Sequence, residues 1–332
     1  MNAPERHQSI TMAASVPLLS VERASQRFAT PRGSVHALDD VSLQIYPGET
    51  LGLVGESGCG KSTLARAVMG LRTLSQGRVC FDGADIAALT GPQHLAWRSR
   101  MQMVFQDPFA SLNPRQRIGR SLAQPLQLHR RGSAAERLRA VRDALAGVGL
   151  SPEMAERFPH EFSGGQRQRV AIARALMLSP DLLVCDEAVS ALDVSVRAQV
   201  LNLLLDLRAQ RGLAMLFISH DLSVVRHLAD RVAVMYLGRV VEEGPSTALW
   251  KQPRHPYTRA LLAAVPAAVP RHKAVVFALG GEIPSPLAIP PGCPFHPRCP
   301  QATERCSTER PPLRPVMAAA VDDGHRVACH VE

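Results

Sequence analysis

Short, almost wholly apolar runs alternate with helical periodicities through most of this chain. Runs of this kind are typical of strands that are buried on both faces of a parallel sheet. They span residues 50–54, 100–106, 181–187 and 214–221. Apolar residues recur at helical spacing in residues 64–69, 134–148, 166–178 and 193–210. This order of strands and helices predicts an α/β fold with a parallel sheet at its centre.

Shorter runs at either end of this pattern indicate further strands separated by turns. They span residues 18–21, 41–45, 77–83, 232–237 and 239–243. The last two flank Gly238 and predict a hairpin. Phe28 lies between the first two runs. An aromatic ring at this place either stacks on a nucleotide base or fills a partly buried loop, and the residues alone leave both interpretations open.

The composition divides the chain into parts. Residues 1–16 are mixed and polar and predict a frayed tail, whereas residues 17–250 carry the α/β pattern. Residues 107–178 are first broken by prolines and then become helical, which predicts a helical subdomain inserted into the α/β core. Residues 251–332 hold more than half of the 26 prolines, so they predict a turn-rich extension with one helix at 259–265. The inserted block has a predicted buried helical face formed by Leu138, Val141, Leu145 and Val148.

Charge and hydropathy exclude some classes of protein. Among 332 residues 46% are apolar, yet no run of about 18 uncharged apolar residues could span a membrane. The first residues lack the compact apolar region of a secretory signal, so a cytoplasmic location is expected. The net charge of +9 admits nucleic acid, anionic lipid or nucleotide as a partner, but the basic residues are scattered and only 4% of residues are aromatic, which leaves few stacking platforms for single strands. In that compartment the seven cysteines do not predict disulfides.

A glycine-rich stretch after the first buried strand predicts a phosphate-binding loop. It has the form G-x-x-x-x-G-K-[ST] and precedes a good helix former. The glycines let backbone N–H groups converge on an anion at the positive end of the helix dipole. Lys61 is expected to reach the β- and γ-phosphates of a nucleotide, and the Ser62 hydroxyl to bind Mg²⁺. The loop consists of Gly55, Glu56, Ser57, Gly58, Cys59, Gly60, Lys61, Ser62 and Thr63.

Polar residues follow three of the other buried runs. Gln106, the Asp186–Glu187 pair and His220 each stand at the carboxyl end of a predicted strand, where an α/β sheet meets its ligands. Because side chains alternate along a strand, the two carboxylates should point differently. One can then anchor Mg²⁺ while the other accepts a proton from an attacking water. His220 is expected to contact a γ-phosphate, with a structural histidine as the alternative.

A second glycine-rich segment opens a long helix. Ser163 is a natural N-cap, and Gly164 and Gly165 come directly after it. Two glycines at this position would let a phosphate approach the free N–H groups at the start of the helix.

Four of the seven cysteines lie close together in the proline-rich extension. They are Cys293, Cys299, Cys306 and Cys329, with the spacing C-x₅-C-x₆-C-x₂₂-C. Thiolates grouped in this way indicate a metal, and both an iron–sulfur cluster and structural zinc remain candidates beside free thiols.

Taken in order, these motifs resemble those of an ABC-transporter ATPase subunit over nearly the whole chain. Residues 55–62 are similar to its Walker A motif, Gln106 to its Q-loop, and Phe162-Ser163-Gly164-Gly165-Gln166 to its signature. Residues 182–186 resemble Walker B, with Glu187 as the catalytic glutamate and His220 as the switch histidine. The D-loop is matched by Ser190, Ala191, Leu192 and Asp193, and Phe28 falls where the family places its adenine-stacking aromatic.

This resemblance implies a P-loop NTPase cassette. Its expected parts are a RecA-like parallel sheet, an antiparallel β subdomain, a helical signature subdomain and a Pro/Cys-rich C-terminal extension. ATP and Mg²⁺ are the implied ligands, with Ser62, Gln106 and Asp186 around the metal. Ser163, Gly164, Gly165 and Gln166 are expected to cap the ATP that a partner chain holds.

Further segments resemble the oligopeptide, dipeptide and nickel importers, in particular their F-type ATPase. These are residues 106–115, 186–196, 255–262 and 292–300. The resemblance implies a dimer with a paralogous ATPase or with itself, two membrane permeases and an extracytoplasmic binding protein. It also implies a peripheral place on the cytoplasmic face of the inner membrane, and it moves the metal prediction toward [4Fe–4S].

Rival classes within the same superfamily fit less well. ABC-type ATPases that act on DNA carry long insertions between loop and signature, and here Lys61 and Ser163 are only about 100 residues apart without sustained heptads. Translation-factor ATPases carry two cassettes, whereas one loop and one signature occur here. The expected function is therefore ATP-driven peptide import, with nickel, glutathione or another small solute as alternative cargo.

Overall fold

The structure, a computed structural model, describes residues 16–31, 33–107, 111–265, 281–316 and 324–331. The predicted tail lies almost wholly outside these ranges, as do Pro108, Phe109 and Ala110. The strands in chain order are β1 (Leu19–Thr30), β2 (Gly33–Ile45), β3 (Thr50–Val54), β4 (Gln76–Phe81), β5 (Ala84–Asp85), β6 (Met101–Val104), β7 (Leu182–Asp186), β8 (Ala214–Ile218), β9 (Arg231–Tyr236), β10 (Arg239–Pro245), β11 (Arg314–Pro315) and β12 (Arg326–Val327).

Helices cover the strands and connect them. In chain order they are α1 (Lys61–Val68), α2 (Gly91–Arg100), α3 (Ile118–Leu128), α4 (Ala134–Gly147), α5 (Gly164–Leu176), α6 (Val194–Arg211), α7 (Leu222–Leu228), α8 (Ser246–Lys251), α9 (Pro256–Ala263) and α10 (Glu304–Thr308). Short 3₁₀ turns occupy Pro152–Glu156, Pro159–Glu161 and His296–Arg298.

A parallel sheet forms the centre of the molecule. Its strands lie in the order β9-β3-β8-β7-β6, and each neighbouring pair is parallel. Alternate residues of these strands enter different clusters: Leu51 and Leu53 pack on one side, and Leu183 and Cys185 on the other. The apolar runs are therefore strands buried on both faces, as predicted. All their carboxyl ends meet at one edge, where the polar residues follow.

A separate antiparallel sheet packs beside this core. Its strands lie in the order β2-β1-β4-β5, and its inner face shares a hydrophobic cluster with α1 and with one face of the parallel sheet. Phe28 lies within β1, opposite Val35 of β2, and not between strands as the sequence suggested. The reason is that β1 and β2 run on beyond their apolar cores, through residues whose side chains face solvent.

The helical block packs as a unit that includes α3, α4 and α5. Val141 and Leu145 of α4 are fully buried against neighbours such as Leu122 of α3, whereas Leu138 is 48% exposed. The predicted buried face was therefore wrong at Leu138, which lines an open groove between α3 and α4 together with Arg120.

The C-terminal extension is joined to the core sheet. Strand β12 pairs antiparallel with β10 and with β11, so these short strands extend the edge of the sheet beyond the β9–β10 hairpin. Helix α9 begins three residues earlier than predicted because the His255 side chain caps it, accepting the N–H of Tyr257, and Pro256 fits its first turn. The domain boundaries at residues 16, 107, 178 and 250 stay predictions.

Candidate functional site

The phosphate loop is fixed by backbone atoms of neighbouring segments. Gly55 has φ +153°, and a Cβ there would lie 2.3 Å from the carbonyl oxygen of Met235. Gly60 has φ +110°, and a Cβ there would lie 2.3 Å from the carbonyl oxygen of Ala37. Only glycine combines these dihedral angles with such close approach. The loop is thus pressed between the β9 end and β2 before it enters α1.

Lys61 lies under the loop rather than in solvent. Its side chain is buried, and its Nζ donates to the carbonyl oxygens of Gly55 at 2.8 Å and of Glu56 at 2.9 Å. The Sγ atom of Cys59 lies 3.8 Å from the same Nζ. Burial raises the pKa of Cys59, so this thiol stays protonated and behaves as a small apolar residue of the loop. One ammonium group is thereby centred beneath the peptide units that would cradle an anion.

The carboxyl edge of the sheet brings Ser62 and Asp186 together. The Ser62 hydroxyl, in the first turn of α1, donates to Oδ1 of Asp186 at 3.1 Å. Burial raises the pKa of Asp186, the hydrogen bond from Ser62 opposes this rise, and the charge of Glu187 adds to it. A hydroxyl and a buried carboxyl at this distance are suitable ligands for Mg²⁺, whose charge would relieve the desolvated carboxylate.

The Glu187 carboxylate contacts two other predicted site residues, Gln106 and His220. Its Oε2 accepts a hydrogen bond from the amide of Gln106 at 3.0 Å and lies 3.4 Å from Nδ1 of His220. Its backbone has φ +50°, and its N–H donates to the carbonyl of Ile218. A left-handed glutamate is uncommon and marks a position held by its surroundings. The adjacent carboxylates therefore point to different partners, one to Ser62 and the other to Gln106 and His220.

The D-loop after Glu187 continues the same turn. The Ser190 hydroxyl donates to the carbonyl oxygen of Glu187 at 2.9 Å. Leu192 is buried, whereas Ala191 and Asp193 are exposed. Asp193 caps α6 by accepting the N–H of Val196, and that hydrogen bond lowers the pKa of its carboxyl group. The D-loop therefore connects the base of the site to the surface of the chain.

The second glycine-rich segment stands apart from the phosphate loop. Ser163 caps α5 in a reciprocal capping box with Gln166, and Ser163 and Gly164 are exposed. A Cβ on Gly164 would meet nothing within 4 Å, whereas a Cβ on Gly165 would lie 2.3 Å from Val196 of α6. The second glycine is thus required by helix packing. Within the described ranges, no hydrogen bond or ion pair joins this segment to residues 55–63.

Phe28 has a cationic neighbour. Its ring is half-buried on β1, and the guanidinium of Arg72 lies 4.7 Å from the ring centroid. Such a cation–π contact occupies one face of the ring. Stacking on adenine would use the other face, and this role stays a prediction.

Two residues that sequence reasoning missed reach the phosphate loop from the C-terminal extension. Arg298 binds the Glu56 carboxylate with both terminal nitrogens, at 2.7 and 3.0 Å. The Tyr257 hydroxyl accepts the backbone N–H of Glu56 at 2.8 Å. Their segments matched the importer pattern at residues 255–262 and 292–300, but nothing in the spacing indicated contact with a loop more than 200 residues away.

The four C-terminal cysteines all lie in the described part of the extension, with Cys293 and Cys299 on either side of the 3₁₀ turn His296–Arg298. All are free thiols, and Cys293, Cys306 and Cys329 are buried. The Cys293 N–H donates to the carbonyl of Cys306 at 2.8 Å. Burial raises the pKa of Cys293 to about 11, and the other three thiols add to this rise, so all four lie within electrostatic range. Among the described residues, however, no three Cys, His, Asp or Glu side chains form a group that could hold a metal ion.

Comparisons with known proteins fit this geometry. Residues 38–190 match the family model described as "ABC transporter", and residues 241–306 match "Oligopeptide/dipeptide transporter, C-terminal region". The chain is 53% identical over 321 residues to a probable peptide ABC transporter ATP-binding protein of Sinorhizobium fredii, covering 95% of this chain and 90% of that protein. The chain belongs to the ATP-binding subunits of ABC transporters. This membership confirms the family resemblance and makes the chain an ATPase.

Other relatives and solved structures agree. The di/tripeptide transport ATP-binding protein DppF of Pseudomonas aeruginosa is 52% identical, with 89% of this chain and 90% of that protein covered. The solved structure of cbiO1 from Clostridium perfringens matches with TM-score 0.64 and 28% identity, over 72% of this chain and 92% of that one. A dimeric post-hydrolysis state of the ATP-binding cassette MJ0796, bound to ADP and Pi, matches with TM-score 0.62 and 28% identity, over 69% and 98%. The cassette fold is therefore confirmed.

In the ranges that the structure describes, every helix is too short or too polar to cross a bilayer.

Proposed function

We propose that this chain hydrolyses ATP to drive the import of peptides through a membrane permease. The observation that carries the proposal is the presence, in one chain, of a polar cluster around Glu187 and of a C-terminal region of the oligopeptide/dipeptide-transporter kind. The names of the relatives point to the same class of cargo. Nickel, glutathione and other small solutes are the alternative cargoes.

Uptake by cells tests the cargo. Deletion of the gene should abolish uptake of labelled di- and oligopeptides, and wild-type protein but not a Lys61→Ala variant should restore it. Parallel measurements with ⁶³Ni²⁺ and labelled glutathione provide the alternatives. Peptide uptake that survives deletion, while nickel or glutathione uptake is lost, would contradict the proposed cargo.

In the proposed mechanism, the residues around the phosphate loop divide into holding and reacting groups. Lys61 and the loop N–H groups hold the β- and γ-phosphates, while Ser62, Gln106 and Asp186 would hold Mg²⁺. When bound, this cation neutralises charge that develops on the phosphates. Glu187 orients the attacking water and accepts its proton, while His220 contacts the γ-phosphate. The hydrogen bond from Ser62 to Asp186 supports the holding group, and the contact of His220 with Oε2 of Glu187 supports the reacting group. Gln106 borders both groups, because its amide donates to the same Oε2.

The exposed signature supports a role in trans. Ser163, Gly164, Gly165 and Gln166 would cap the ATP that a second chain holds, so each site forms only when two chains close. The second chain is a paralogous ATPase or another copy of this one. The solved dimer of the cassette MJ0796 shows that a related fold pairs. Two permeases, an extracytoplasmic binding protein and a place at the cytoplasmic face of the inner membrane complete the proposal.

Copurification tests these partners. Tagged protein from cells that express the neighbouring genes should bring down two permeases from the membrane fraction, together with a paralogous ATPase or an untagged copy of this chain. Recovery of only a homodimer from the soluble fraction would contradict the proposed assembly.

We also propose that Cys293, Cys299, Cys306 and Cys329 hold a [4Fe–4S] cluster, with zinc as the alternative. Four neighbouring free thiols, three of them buried, support a soft-metal site. The described side chains do not form a ligand group, so binding must rearrange them. Protein purified without oxygen should be brown and contain iron that is lost in Cys293→Ser and retained in Cys80→Ser. Colourless protein containing zinc, or no metal, would contradict the cluster.

A further inference from the structure

Glu56 is held by groups from outside the phosphate loop. Its carboxylate accepts two hydrogen bonds from Arg298, and its N–H donates to the Tyr257 hydroxyl. Its carbonyl oxygen accepts a hydrogen bond from Lys61. The carboxylate, the N–H and the carbonyl of one loop residue thus all have a partner, and the partners of the carboxylate and of the N–H belong to the C-terminal extension.

Arg298 is also held by residues other than Glu56. It ends the 3₁₀ turn His296–Arg298, which lies between Cys293 and Cys299, and its side chain is only 4% exposed. Its guanidinium also lies 3.4 Å from the Tyr236 hydroxyl and is stacked near the Phe295 ring. A bidentate guanidinium–carboxylate pair in such a setting defines distance and orientation together.

The Tyr257 side chain is held in place by a cluster of aromatic rings. The residue is fully buried in α9, and its ring packs against Tyr236 at 4.8 Å and Phe295 at 5.5 Å between centroids. Burial raises the pKa of Tyr257, so its hydroxyl stays protonated. The ring cluster therefore brings the Tyr257 hydroxyl and the Arg298 guanidinium to the same loop residue from adjoining positions.

These contacts supply what the loop lacks by itself. Close packing at Gly55 and Gly60 fixes the two ends of the loop, but a Cβ on Gly58 would meet nothing within 4 Å, so the segment between the ends keeps conformational freedom. Contacts that fix the binding conformation beforehand lower the entropy lost on binding and so strengthen it. Tyr257 and Arg298, which lie 201 and 242 residues further along the chain, supply such contacts at Glu56.

We propose that Arg298 and Tyr257 are positioning residues of the ATP site, through which the C-terminal extension sets the shape of the phosphate loop at Glu56. Affinity for MgATP then depends on whether the extension is correctly folded and docked. This inference concerns ATP binding only, and it stands whichever cargo the transporter carries.

Equilibrium binding of MgATP to full-length protein tests the proposal. Tyr257→Phe keeps the ring and its packing but loses the acceptor, and we expect the dissociation constant to rise about threefold. Arg298→Met should raise it about tenfold, which is 1.4 kcal/mol. Arg298→Lys should recover part of this loss, because one ammonium contact remains. Turnover at saturating ATP should change less than the dissociation constant, since the reacting groups are untouched.

Matched controls come from the same protein. Arg305→Met removes an exposed guanidinium of the extension that pairs with Glu309, and Tyr46→Phe removes an exposed hydroxyl that donates to Gln44. Neither should change ATP affinity. A double-mutant cycle between Glu56→Gln and Arg298→Met should show strong non-additivity. Unchanged affinity in both Tyr257→Phe and Arg298→Met, or additive effects in the cycle, would overturn the proposal.

Hydrogen exchange supplies a readout that a purely structural role would not move. Coupling between two sites is reciprocal, so a non-hydrolysable ATP analogue should slow amide exchange in residues 293–299 of wild-type protein. In Glu56→Gln, whose extension has an unaltered sequence, saturating analogue should leave this exchange unchanged, while α4 in the helical block serves as the internal reference. Equal protection of residues 293–299 in wild type and Glu56→Gln would contradict coupling through Glu56. If Arg298→Met does not fold, this comparison and Tyr257→Phe still decide the question.

Discussion

Two glycine-rich helix starts lie in this chain, and they differ in how their N–H groups are used. At α1 the N-cap is Gly60, whose lack of a side chain leaves the first N–H groups without a side-chain cap. At α5 the N-cap is Ser163. Its hydroxyl oxygen accepts the backbone N–H of Gln166, and the Gln166 side chain accepts the backbone N–H of Ser163. The first helix start is therefore open to an anion, and the second is already capped by its own residues.

The two helix starts also differ in how far neighbouring segments enclose them, and here it is the uncapped α1 start that is enclosed. The α1 start is enclosed by backbone atoms of Met235 and Ala37 and tied to Tyr257 and Arg298, whereas the α5 start has open space around Gly164. The loop proposed to hold phosphate is thus completed by its own chain, whereas the segment proposed to meet another chain is capped but exposed. The comparison shows that a glycine at a helix start can serve either to leave backbone N–H groups accessible or to allow close packing of another helix.

The largest expected effect separates the two helix starts by chemistry. Glu187→Gln removes the proposed base beside α1 and should lower ATP turnover by about 10²–10³-fold, while ATP affinity changes little, because general-base catalysis contributes on this order. Steady-state turnover and equilibrium binding measure the two effects. Glu156→Gln, which alters a glutamate whose side chain is 73% exposed, is the control. Brisk turnover by Glu187→Gln would show that another group accepts the proton.

A smaller effect should appear only when two chains meet. Ser163→Ala removes the cap of α5 and the hydroxyl offered to a partner, so ATP should still bind while nucleotide-driven dimerisation weakens about tenfold. Ser133→Ala is a matched control, because Ser133 caps α4 in the same kind of box with Glu136. Both changes should cost about 1 kcal/mol of stability. Light scattering with ATP in the Glu187→Gln background distinguishes them, and equal dimerisation in both would refute the capping role in trans.

The two signature glycines should respond differently to the same added methyl group. Gly165→Ala places a Cβ 2.3 Å from Val196 and should lower the free energy of unfolding by about 1–3 kcal/mol, as overpacking does. Gly164→Ala meets open space, so it should leave stability unchanged but weaken dimerisation. Urea denaturation and light scattering measure the two quantities. Equal loss of stability in both variants would mean that Gly165 is not packed as described.

The smallest effect concerns the buried carboxyl of Asp186. Burial raises its pKa above the ordinary 3.8, so its contribution to stability is largest below pH 3.8 and is lost as the pH rises through the higher folded value. Asp186→Asn should therefore stabilise the Mg²⁺-free protein by about 1 kcal/mol at pH 7 and by much less at pH 3. Urea denaturation at both pH values measures this, with exposed Asp143→Asn as the control. A stability loss at pH 7 would contradict the sign of the shift.

The sequence predicted those elements that depend on interactions between residues close together in the chain. The apolar runs at β3, β7 and β8, the hairpin around Gly238 and the serine cap of α5 all follow from burial pattern or turn chemistry within a few residues. Topology then follows, because consecutive parallel strands with helical connections present their carboxyl ends at one edge. That is why the sequence alone predicts that Gln106, Glu187 and His220 lie close together.

Only the tertiary structure decided which distant segments complete the site. The pairing of Arg298 and Tyr257 with Glu56, the addition of β12 to β10, and the packing of Gly165 on Val196 depend on how whole elements dock. Such contacts leave no periodicity in the sequence, since each residue would look the same in a solvated turn. Leu138 shows the converse, because its helical position predicted burial while the neighbouring helices left it in an open groove. Patterns along the chain determine the secondary structure and the chemistry of a residue, whereas the packing of whole elements determines which distant residues it contacts.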